Sequence, residues 1–389
     1  MSQPIRVLVV DDSALMRRVL TSLLEQDPAI RVVATARNGR EAIELVQELR
    51  PDIVTMDVRM PVMDGLATTE HLMAYCPTPI LVLTASLASH EVDITFKMLG
   101  AGALEVIEKP SGSDAQALDH TGRALIRRIK VLARVKVVTH LRGRRKPAEM
   151  IAALPDLTPN TAGGKETRRQ APASITRHPS PVAHHPSIGA DIPLIVIGAS
   201  TGGPRVVNEV LAGLPSGLPS AVLVVQHIAQ GFSAGMAEWL ANASRLPVRL
   251  AHEGQPIRAG EVLIAPDARD LLITRQRTVH LSEDPLLIQR PSIDISMQAA
   301  AEVFGPRAIG VLLTGMGRDG AYGMLTIKRS NGYTIAQDEA TCTIFGMPRA
   351  AIQLHAAREV LPAPRIASRL VELVTQLDPA RLASARGAQ

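Results

Sequence analysis

The sequence has few cysteines and few aromatic residues, and it has no long hydrophobic run. Only Cys76 and Cys342 occur in 389 residues, and two distant thiols are more typical of reduced core residues than of a disulfide. Aromatic residues make up 2% of the chain, which argues against a surface that stacks on nucleic acid bases. No run of about 18 apolar residues could span a bilayer, and the start MSQPIRVLVV lacks a signal-peptide pattern. We therefore expect a cytoplasmic protein with no membrane insertion.

The positive charge is confined to one segment. The formal net charge is +5, but residues 123–177 alone contain fourteen Lys and Arg against three acidic residues, so the rest of the chain is acidic. Residues from about 142 to 190 are rich in Pro, Gly, Ser, Thr and Arg and poor in large apolar residues, which predicts a disordered, flexible linker. This distribution does not favour nucleic acid binding. His178, His184 and His185 lie in that segment without the fixed geometry of a metal site.

Before this segment, apolar runs alternate with helical patterns. Ile5–Val10 is followed by DDSALMRRVLTSLLEQ, whose apolar residues recur at helical spacing after Ser13, a candidate N-cap. Further strand-like runs read RVVATA, DIVTM, ILVLT and ALEVIE, with a helical stretch between each pair. This alternation predicts a doubly wound parallel sheet with helices on both faces.

Polar residues close four of these strands. Asp11 and Asp12 follow the first strand, Asp57 the third, Thr84 the fourth and Lys109 the fifth. Ligands of such sheets bind beyond the carboxyl ends of the strands, so these side chains should converge. Clustered carboxylates repel one another unless a cation neutralises them, and hard oxygen ligands favour Mg²⁺. Asp57 is placed to accept a phosphoryl group whose charge the metal and Lys109 would offset.

The segments VVDDSALMRRVL, MDVRMPVMDG, LTAS and EKP resemble the signatures of response-regulator receiver domains, over roughly residues 4 to 125. The resemblance implies a flavodoxin-like receiver with a histidine kinase as phosphodonor. It also implies that Asp57 is the phosphoacceptor, that Asp11, Asp12 and Asp57 bind Mg²⁺ with a carbonyl near Arg59, that Thr84 is the switch hydroxyl and that Lys109 contacts the phosphoryl group. Arg59 departs from the acidic or small residue common in the family.

A second α/β pattern begins near residue 191, with strand-like runs PLIVIG, AVLVVQ, VLIAP and AIGVLLTG. The first run leads into GASTGG, for which two interpretations exist. A strand, a glycine-rich turn and a helix can cradle a nucleotide phosphate. The full G-x-G-x-x-G is absent, however, no Walker lysine follows, and the next strand ends in Gln226 and His227 rather than in an acidic residue.

The other interpretation is a serine hydrolase. Ser200, His227 and Asp319 each follow a different predicted parallel strand, so the fold can bring them to one edge. The imidazole would take the serine proton, and the carboxylate would orient the ring. The order Ser, His, Asp differs from the three familiar orders of such triads. Thr201 is an alternative nucleophile, although its branched side chain is stiffer.

The glycines fit this interpretation. We expect Gly198, Gly202 and Gly203 to adopt φ values closed to other residues and to form a sharp turn that exposes Ser200. The following helix N-terminus would face a developing oxyanion, with the backbone N–H groups of Thr201 and Met316 as donors.

The segments GASTGG, QHI-x-x-GF, RPSIDISM, LTGMGRDGA and AQDEATCTIFGMPRAA closely resemble the chemotaxis protein-glutamate methylesterase/glutaminase (CheB) family, over about residues 191 to 378. The resemblance implies a Rossmann-like catalytic domain in which Ser200, His227 and Asp319 form the triad, assisted by the Met316 amide and needing no cofactor. It also implies hydrolysis of glutamate γ-methyl esters, and deamidation of glutamines, on the cytoplasmic helices of chemoreceptors. Arg318 and Tyr322 replace the Asn and Ala common in the family.

These observations divide the chain into a receiver (4–125), a terminal receiver helix with the basic linker (126–190) and a methylesterase domain (191–380). We expect the unphosphorylated receiver to cover the triad and phosphorylation of Asp57 to loosen that contact. Two other classes stay open: a phospho-switched binding module with an inert second domain, and a transcription factor. The latter would need a basic helix-turn-helix, which the sequence does not show.

Overall fold

The structure is a computed structural model that describes residues 3–85, 89–110, 115–135, 137, 192–284 and 290–377. Two parallel β-sheets flanked by helices organise these residues, which confirms the predicted fold class. The predicted linker, residues 142–190, lies outside the described ranges. Within those ranges, no helix combines the length and the apolar character needed to span a bilayer.

The first sheet has five parallel strands in the order β2-β1-β3-β4-β5. Its strands are β1 (Ile5–Val10), β2 (Ile30–Ala36), β3 (Ile53–Asp57), β4 (Ile80–Thr84) and β5 (Glu105–Glu108). Its helices are α1 (Ala14–Leu24), α2 (Gly39–Leu49), α3 (Gly65–Tyr75), α4 (Ser89–Ala101) and α5 (Ala115–Leu132).

Short polar side chains start the first three helices. The Ser13 hydroxyl accepts the Met16 N–H at 3.3 Å, so the predicted N-cap of α1 is confirmed. Asn38 and Asp64 cap α2 and α3 in the same way. Ser13 and Asn38 follow their strands within three residues, whereas a longer loop separates Asp64 from β3; all three caps begin helices at the end of the sheet where Asp11 and Asp57 lie.

The second sheet has seven parallel strands in the order β14-β13-β12-β6-β7-β9-β8. Its strands are β6 (Leu194–Ala199), β7 (Ala221–Gln226), β8 (Val248–Leu250), β9 (Val262–Ile264), β12 (Ala308–Leu312), β13 (Tyr333–Gln337) and β14 (Glu359–Leu361). Its helices are α6 (Gly203–Ala212), α7 (Ser233–Ala243), α8 (Ile293–Phe304), α9 (Ala321–Arg329), α10 (Met347–Gln353) and α11 (Ala363–Gln376).

The strand order creates a crevice at the carboxyl ends of β6 and β12. From β6 the chain continues to β7 on one side, whereas β12 pairs with β6 on the other side. A reversal of this kind is where doubly wound sheets bind their ligands. The loops after β6, β7 and β12 all open onto this crevice, so the fold itself assembles the site.

A small antiparallel hairpin is an addition that the sequence analysis did not predict. It pairs β10 (Asp270–Ile273) with β11 (Val279–Ser282). The strands β8 and β14, at the two edges of the large sheet, and the five-residue strand β13 were not predicted either. The strands β8, β10, β11 and β14 have only three or four residues, too few to establish a period, although the equally short β9 lies within the predicted run VLIAP.

The two α/β units touch through α4 and α7. The rings of Phe96 and Trp239 stack with their centroids 5.5 Å apart, and Val92 packs on the backbone of Gly235. Phe96 and Val92 are buried in the same apolar cluster as residues of the second unit. The first unit is therefore seated on the second, close to the crevice described above.

Candidate active site

The turn after β6 holds Ser200 in close contact with the loop after β12. Ser200 is 6% exposed, and its N–H donates to the carbonyl of Thr314 at 3.0 Å. A Cβ at Gly315 would lie 2.7 Å from the Cβ of Ser200, a distance that real side chains do not reach. Glycine at this position therefore lets the second loop pass directly beside the candidate nucleophile.

The three glycines of the turn do not all serve the predicted purpose. Gly202 has a φ of 75°, as expected for the left-handed region. The prediction is wrong for Gly198 and Gly203, which have no positive φ. They are required by close neighbours instead, since an added Cβ would lie 2.3 Å from Ile293 Cγ2 and 2.3 Å from Gln226 Oε1, respectively.

Gln226 joins the segments that carry Ser200 and His227. Its buried side-chain amide donates to the carbonyl of Ser200 and to the carbonyl of His227, both at 2.8 Å. The His227 N–H also donates to the carbonyl of Ala199 at 2.9 Å. The ends of β6 and β7 are thus cross-linked at the two residues that bear the hydroxyl and the imidazole.

His227 and Asp319 are in direct contact. The Nε2 atom of His227 lies 2.7 Å from Oδ2 of Asp319. Ser200 lines the same cavity as His227, and we find no hydrogen bond from its hydroxyl to the ring within the described ranges. Because Nε2 is engaged by the carboxylate, Nδ1 is the nitrogen through which this imidazole could take a proton.

Asp319 is held by the start of α8. Its Oδ2 also accepts the N–H of Ile293 at 2.8 Å, and its Oδ1 accepts the N–H of Asp294 at 2.9 Å and the hydroxyl of Ser292 at 3.1 Å. Burial alone would raise the pKa of Asp319, but the bonds from His227 and from these amides outweigh it, and the pKa lies below its usual range. The carboxylate is therefore ionised and fixed at a helix N-terminus.

Two further buried carboxyl groups, those of Asp270 and Asp294, lie near Asp319. Burial raises the pKa of Asp294 to about 6, against the hydrogen bond from the Gly323 N–H, and the negative charge of Asp319 adds to the rise. Asp270 is fully buried, and its Oδ1 accepts the Ser292 N–H at 2.8 Å. Burial also raises the pKa of Asp270. Ser292, the N-cap of α8, is therefore bound by two carboxylates, with Asp270 on its N–H and Asp319 on its hydroxyl.

Thr201 and Met316 flank Ser200 from the two loops. Thr201 is 4% exposed, and its hydroxyl donates to Oε2 of Glu105 at 2.8 Å. Met316 directly follows Gly315, with a side chain that is 40% exposed. Their backbone N–H groups belong to the two segments that meet at Ser200, as the oxyanion prediction requires, and that role stays a prediction.

The first unit covers this site. The carbonyl of Leu104 accepts the N–H of Gly202 at 3.2 Å, and Glu105 pairs with Nε of Arg128 at 3.2 Å. Glu105, Arg128 and His227 line one cavity of about 150 Å³ together with Ser200. Burial raises the pKa of Glu105, although the charge of Arg128 opposes it. The amino-terminal end of β5 therefore lies on the turn that carries the candidate nucleophile.

The predicted acidic cluster forms in the first unit. Carboxylate oxygens of Asp11, Asp12 and Asp57 lie within 4.8 Å of one another, and Lys109 Nζ is 2.8 Å from both Asp11 Oδ2 and Asp57 Oδ1. Burial raises the pKa of Asp57, and it would lower that of Lys109, but the two carboxylates outweigh it and raise the Lys109 pKa. Three carboxylates that offer hard oxygen donors, two of them buried and Asp12 exposed to solvent, fit a Mg²⁺ site.

Thr84 and Arg59 both meet Glu91 in the first turns of α4. The Thr84 hydroxyl donates to Glu91 Oε2 at 3.3 Å, and Arg59 Nε lies 3.0 Å from Glu91 Oε1. Arg59, the departure noted in the sequence, thus pairs with α4. Arg318, which precedes Asp319 in the chain, and Tyr322, in the first turn of α9, are the departures in the second unit, and both residues are exposed.

Four residues of the site were missed by the sequence analysis. Ser292 and Asp294 lie in RPSIDISM, where a Ser before a helical run signals an N-cap, so their place at a helix start could have been found. Gln226 and Glu105 carry no such signal. Their roles depend on which strands are neighbours and on how the two units meet.

Comparisons with known proteins agree with this architecture. A profile described as "CheB methylesterase" matches residues 195–370, and one described as "Response regulator receiver domain" matches residues 7–120. The chain is 44% identical over 372 residues to "Protein-glutamate methylesterase/protein-glutamine glutaminase 2" of Anaeromyxobacter dehalogenans, covering 95% of this chain and 97% of that protein.

Two further likenesses were found. A protein-glutamate methylesterase/protein-glutamine glutaminase of Symbiobacterium thermophilum is 39% identical over 377 residues, covering 96% of this chain and 98% of that protein. The crystal structure of the Thermotoga maritima CheB methylesterase catalytic domain is 38% identical and covers 47% of this chain and 98% of its own, with a TM-score of 0.45. By its sequence likeness over nearly its full length, the chain belongs to the family of receiver-linked CheB protein-glutamate methylesterases/protein-glutamine glutaminases.

Proposed function

We propose that this protein is a receiver-regulated serine hydrolase that cleaves glutamate γ-methyl esters, and deamidates glutamines, on chemoreceptors. The observation that carries the proposal is the 2.7 Å bond between Asp319 and His227, which lines the same cavity as Ser200. Acyl transfer by a serine hydrolase needs a nucleophilic hydroxyl, an imidazole base and a carboxylate that orients the ring. Ser200, His227 and Asp319 supply these three groups.

Ser200 attacks the ester carbonyl carbon, and its proton passes to Nδ1 of His227. Asp319 keeps the other ring nitrogen protonated and stabilises the imidazolium that forms. When the tetrahedral intermediate collapses, the C–O bond to the methoxy group breaks, and His227 returns the proton so that methanol leaves. A water molecule then repeats the sequence on the acyl-serine and releases the glutamate. With a glutamine substrate, ammonia leaves instead.

The oxyanion would be stabilised by the N–H groups of Thr201 and Met316. The close approach of Gly315 to Ser200 supports this assignment, because it brings the second donor within the same small volume. Backbone donors fixed before the reaction begins need no reorganisation, so they contribute fully to the rate.

Ser200 is the preferred nucleophile over Thr201. The Thr201 hydroxyl is donated to Glu105, and its carbonyl accepts the Thr314 hydroxyl at 3.1 Å, so this residue is tied to its surroundings at both ends. Ser200 lines the same cavity as His227, and among the described residues its hydroxyl makes no hydrogen bond to another group. Thr201 then serves to bind substrate once Glu105 has withdrawn.

In the receiver, Asp57 would accept the phosphoryl group, and Asp11, Asp12 and Asp57 would hold Mg²⁺. Bound Mg²⁺ supplies positive charge that offsets the phosphoryl oxygens. The Lys109 ammonium group forms ion pairs with Asp57 and Asp11, each at 2.8 Å, and it would pair with the phosphoryl oxygens once Asp57 is phosphorylated. The Thr84 hydroxyl, now on Glu91, is the group that would turn toward the phosphoryl oxygens.

Phosphorylation would activate the enzyme by releasing the receiver from the catalytic unit. Glu105 accepts the Thr201 hydroxyl and the carbonyl of Leu104 accepts the Gly202 N–H, so these receiver residues cover the turn from the substrate side. A receptor helix cannot reach Ser200 while these two hydrogen bonds persist. The partners implied are cytoplasmic helices of methyl-accepting chemoreceptors and a histidine kinase as phosphodonor, and the proposed location is the cytoplasm. No cofactor is needed for the esterase step.

The proposal is tested by incubating methyl-labelled receptor membranes with the full-length enzyme, with and without a small-molecule phosphodonor and Mg²⁺. Labelled methanol should be released slowly without the phosphodonor and faster with it. Absence of methanol in both arms, with the receiver shown to be phosphorylated, would point to a binding module instead of an enzyme.

A further inference from the structure

Asp294 is a buried carboxyl group beside the triad that the proposed chemistry does not use. It lies in the first turn of α8 and is 9% exposed. Its N–H donates to Oδ1 of Asp319 at 2.9 Å, while its own Oδ1 accepts the N–H of Gly323 at 2.7 Å. The residue therefore contacts the triad carboxylate on one side and the start of α9 on the other.

In addition to the Ser292 N-cap of α8, an aspartate from each helical segment binds first-turn amides of the other helix, an arrangement that we call the cap exchange. Asp319, which precedes α9, accepts the first amides of α8 from Ile293 and Asp294. Asp294, which belongs to α8, accepts an amide of the first turn of α9. The N-cap of α9 is Gly320, which has no side chain to offer, so the carboxylate of Asp294 takes that place from outside.

The cap exchange demands a very close approach of the two helices. A Cβ at Gly323 would lie 2.5 Å from Met297 Cβ and 3.1 Å from the backbone of Asp294, and a Cβ at Gly320 would lie 2.7 Å from Ile293 Cγ2. Because Gly320 and Gly323 have no side chains, α9 packs directly on Ile293, Asp294 and Met297 of α8, and the hydrogen bond from the Gly323 N–H to Asp294 joins the two helices at this contact. Gly320 directly follows Asp319, so this contact also sets where the triad carboxylate lies.

We propose that Asp294 is a positioning residue for catalysis, whose bond to Gly323 holds the turn at 318–320 so that Asp319 stays within hydrogen-bond distance of His227. This inference rests on the proposed hydrolase function. Loss of the bond frees the start of α9 and lets Asp319 follow it away from the imidazole. A displacement of about 1 Å at a reacting group costs on the order of a hundredfold in rate.

The test compares Asp294→Ala with Asp294→Asn in the full-length enzyme, activated by a phosphodonor, using methanol release from methylated receptor. Alanine removes the acceptor, and kcat should fall about 10- to 100-fold while KM stays within about twofold. Asparagine keeps an oxygen for the Gly323 N–H, so its kcat should return to within about threefold of the unmodified enzyme.

A buried hydroxyl far from the crevice supplies the matched control. Ser220 precedes β7, at the opposite end of this strand from the crevice, and donates to the carbonyl of Pro193 at 3.0 Å. Ser220→Ala should lower the melting temperature without changing kcat. If Asp294→Ala does not fold, Asp294→Ser replaces it, since its shorter side chain cannot reach Gly323 and the same loss of kcat is expected.

The inference is overturned if the folded alanine or serine variant retains the full kcat, if asparagine does not restore activity, or if Ser220→Ala loses kcat to the same extent. These results presuppose an active unmodified enzyme. An unmodified enzyme that releases no methanol under any condition would refute the proposed function itself, so the two failures are distinguishable.

Discussion

Gly235→Ala should activate the enzyme without phosphorylation. Gly235 lies in α7, where the receiver helix α4 rests on the catalytic unit, and an added Cβ would be 1.9 Å from Cγ1 of Val92. Real side-chain contacts are never this short. Val92 is buried and β-branched within a helix, so it has little freedom to rotate away. Something must shift to accommodate the methyl group, and we expect the receiver to move off the catalytic unit.

The size of the expected activation follows from the cost of overpacking, about 1–3 kcal/mol, which destabilises only the state in which the receiver is docked. Such a cost corresponds to an increase of about 5- to 150-fold in the ratio of undocked to docked enzyme. The basal rate should rise by that factor until it reaches the phosphorylated rate. Unfolding is not expected to interfere, since alanine is the better helix former by up to about 1 kcal/mol.

The assay is methanol release by unphosphorylated Gly235→Ala, compared with the unmodified enzyme and with Gly100→Ala. Gly100 lies in α4 at the same interface, but its added Cβ would stand 3.6 Å from Trp239 Cζ2, an ordinary contact. The control should therefore keep the basal rate. If Gly235→Ala folds normally and shows the basal rate of the unmodified enzyme, the receiver does not restrain the catalytic unit through this contact.

Three further predictions concern the two sites. Asp319→Asn should lower kcat by about 10³ to 10⁴ with little change in KM, because an amide favours the wrong imidazole tautomer; a loss below about tenfold in steady-state kinetics would contradict the triad. Asp57→Asn, or removal of Mg²⁺ by a chelator, should abolish stimulation by a phosphodonor and leave the basal methanol release intact, and stimulation that survives either change would contradict the receiver assignment. The third prediction concerns pH. The folded pKa of Asp294, about 6, exceeds the unfolded value of about 3.9, so ionisation destabilises the native state as the pH rises from about 4 to above 6. A shift of this size corresponds to at most about 3 kcal/mol, and we expect about 1–2 kcal/mol after solvent screening, so Asp294→Asn should gain stability over the unmodified protein between about pH 5 and about pH 7.5 in denaturant unfolding. If the difference in unfolding free energy between Asp294→Asn and the unmodified protein is the same at about pH 5 and about pH 7.5, ionisation of Asp294 does not destabilise the native state.

Much of the fold follows from local patterns in the sequence. The long buried strands and the capped helices of the first unit have strong periodicity and polar N-caps, such as Ser13, so their type and place could be predicted. The residues at strand ends could be assigned to one edge because parallel strands with helical crossovers leave no other arrangement. The convergence of His227 and Asp319, and of Asp11, Asp12 and Asp57, follows from that rule.

What could not be predicted depends on tertiary packing. The purpose of Gly198 and Gly203 was misjudged because their neighbours, Ile293 and Gln226, come from distant segments. Glu105 reads as an ordinary strand residue until the receiver is seated on the catalytic unit. The cap exchange between Asp294 and Asp319 likewise requires the distance between two helices, which no local pattern encodes.

The central claim is that Ser200, with His227 and Asp319, is the hydrolytic centre of this protein. The most direct test is single-turnover methanol release from methylated receptor by phosphodonor-activated Ser200→Ala, measured beside Thr201→Ala. We expect Ser200→Ala to lose at least about a thousandfold in rate and Thr201→Ala to retain measurable turnover. Near-normal methanol release by Ser200→Ala, or its loss only in Thr201→Ala, would contradict the account.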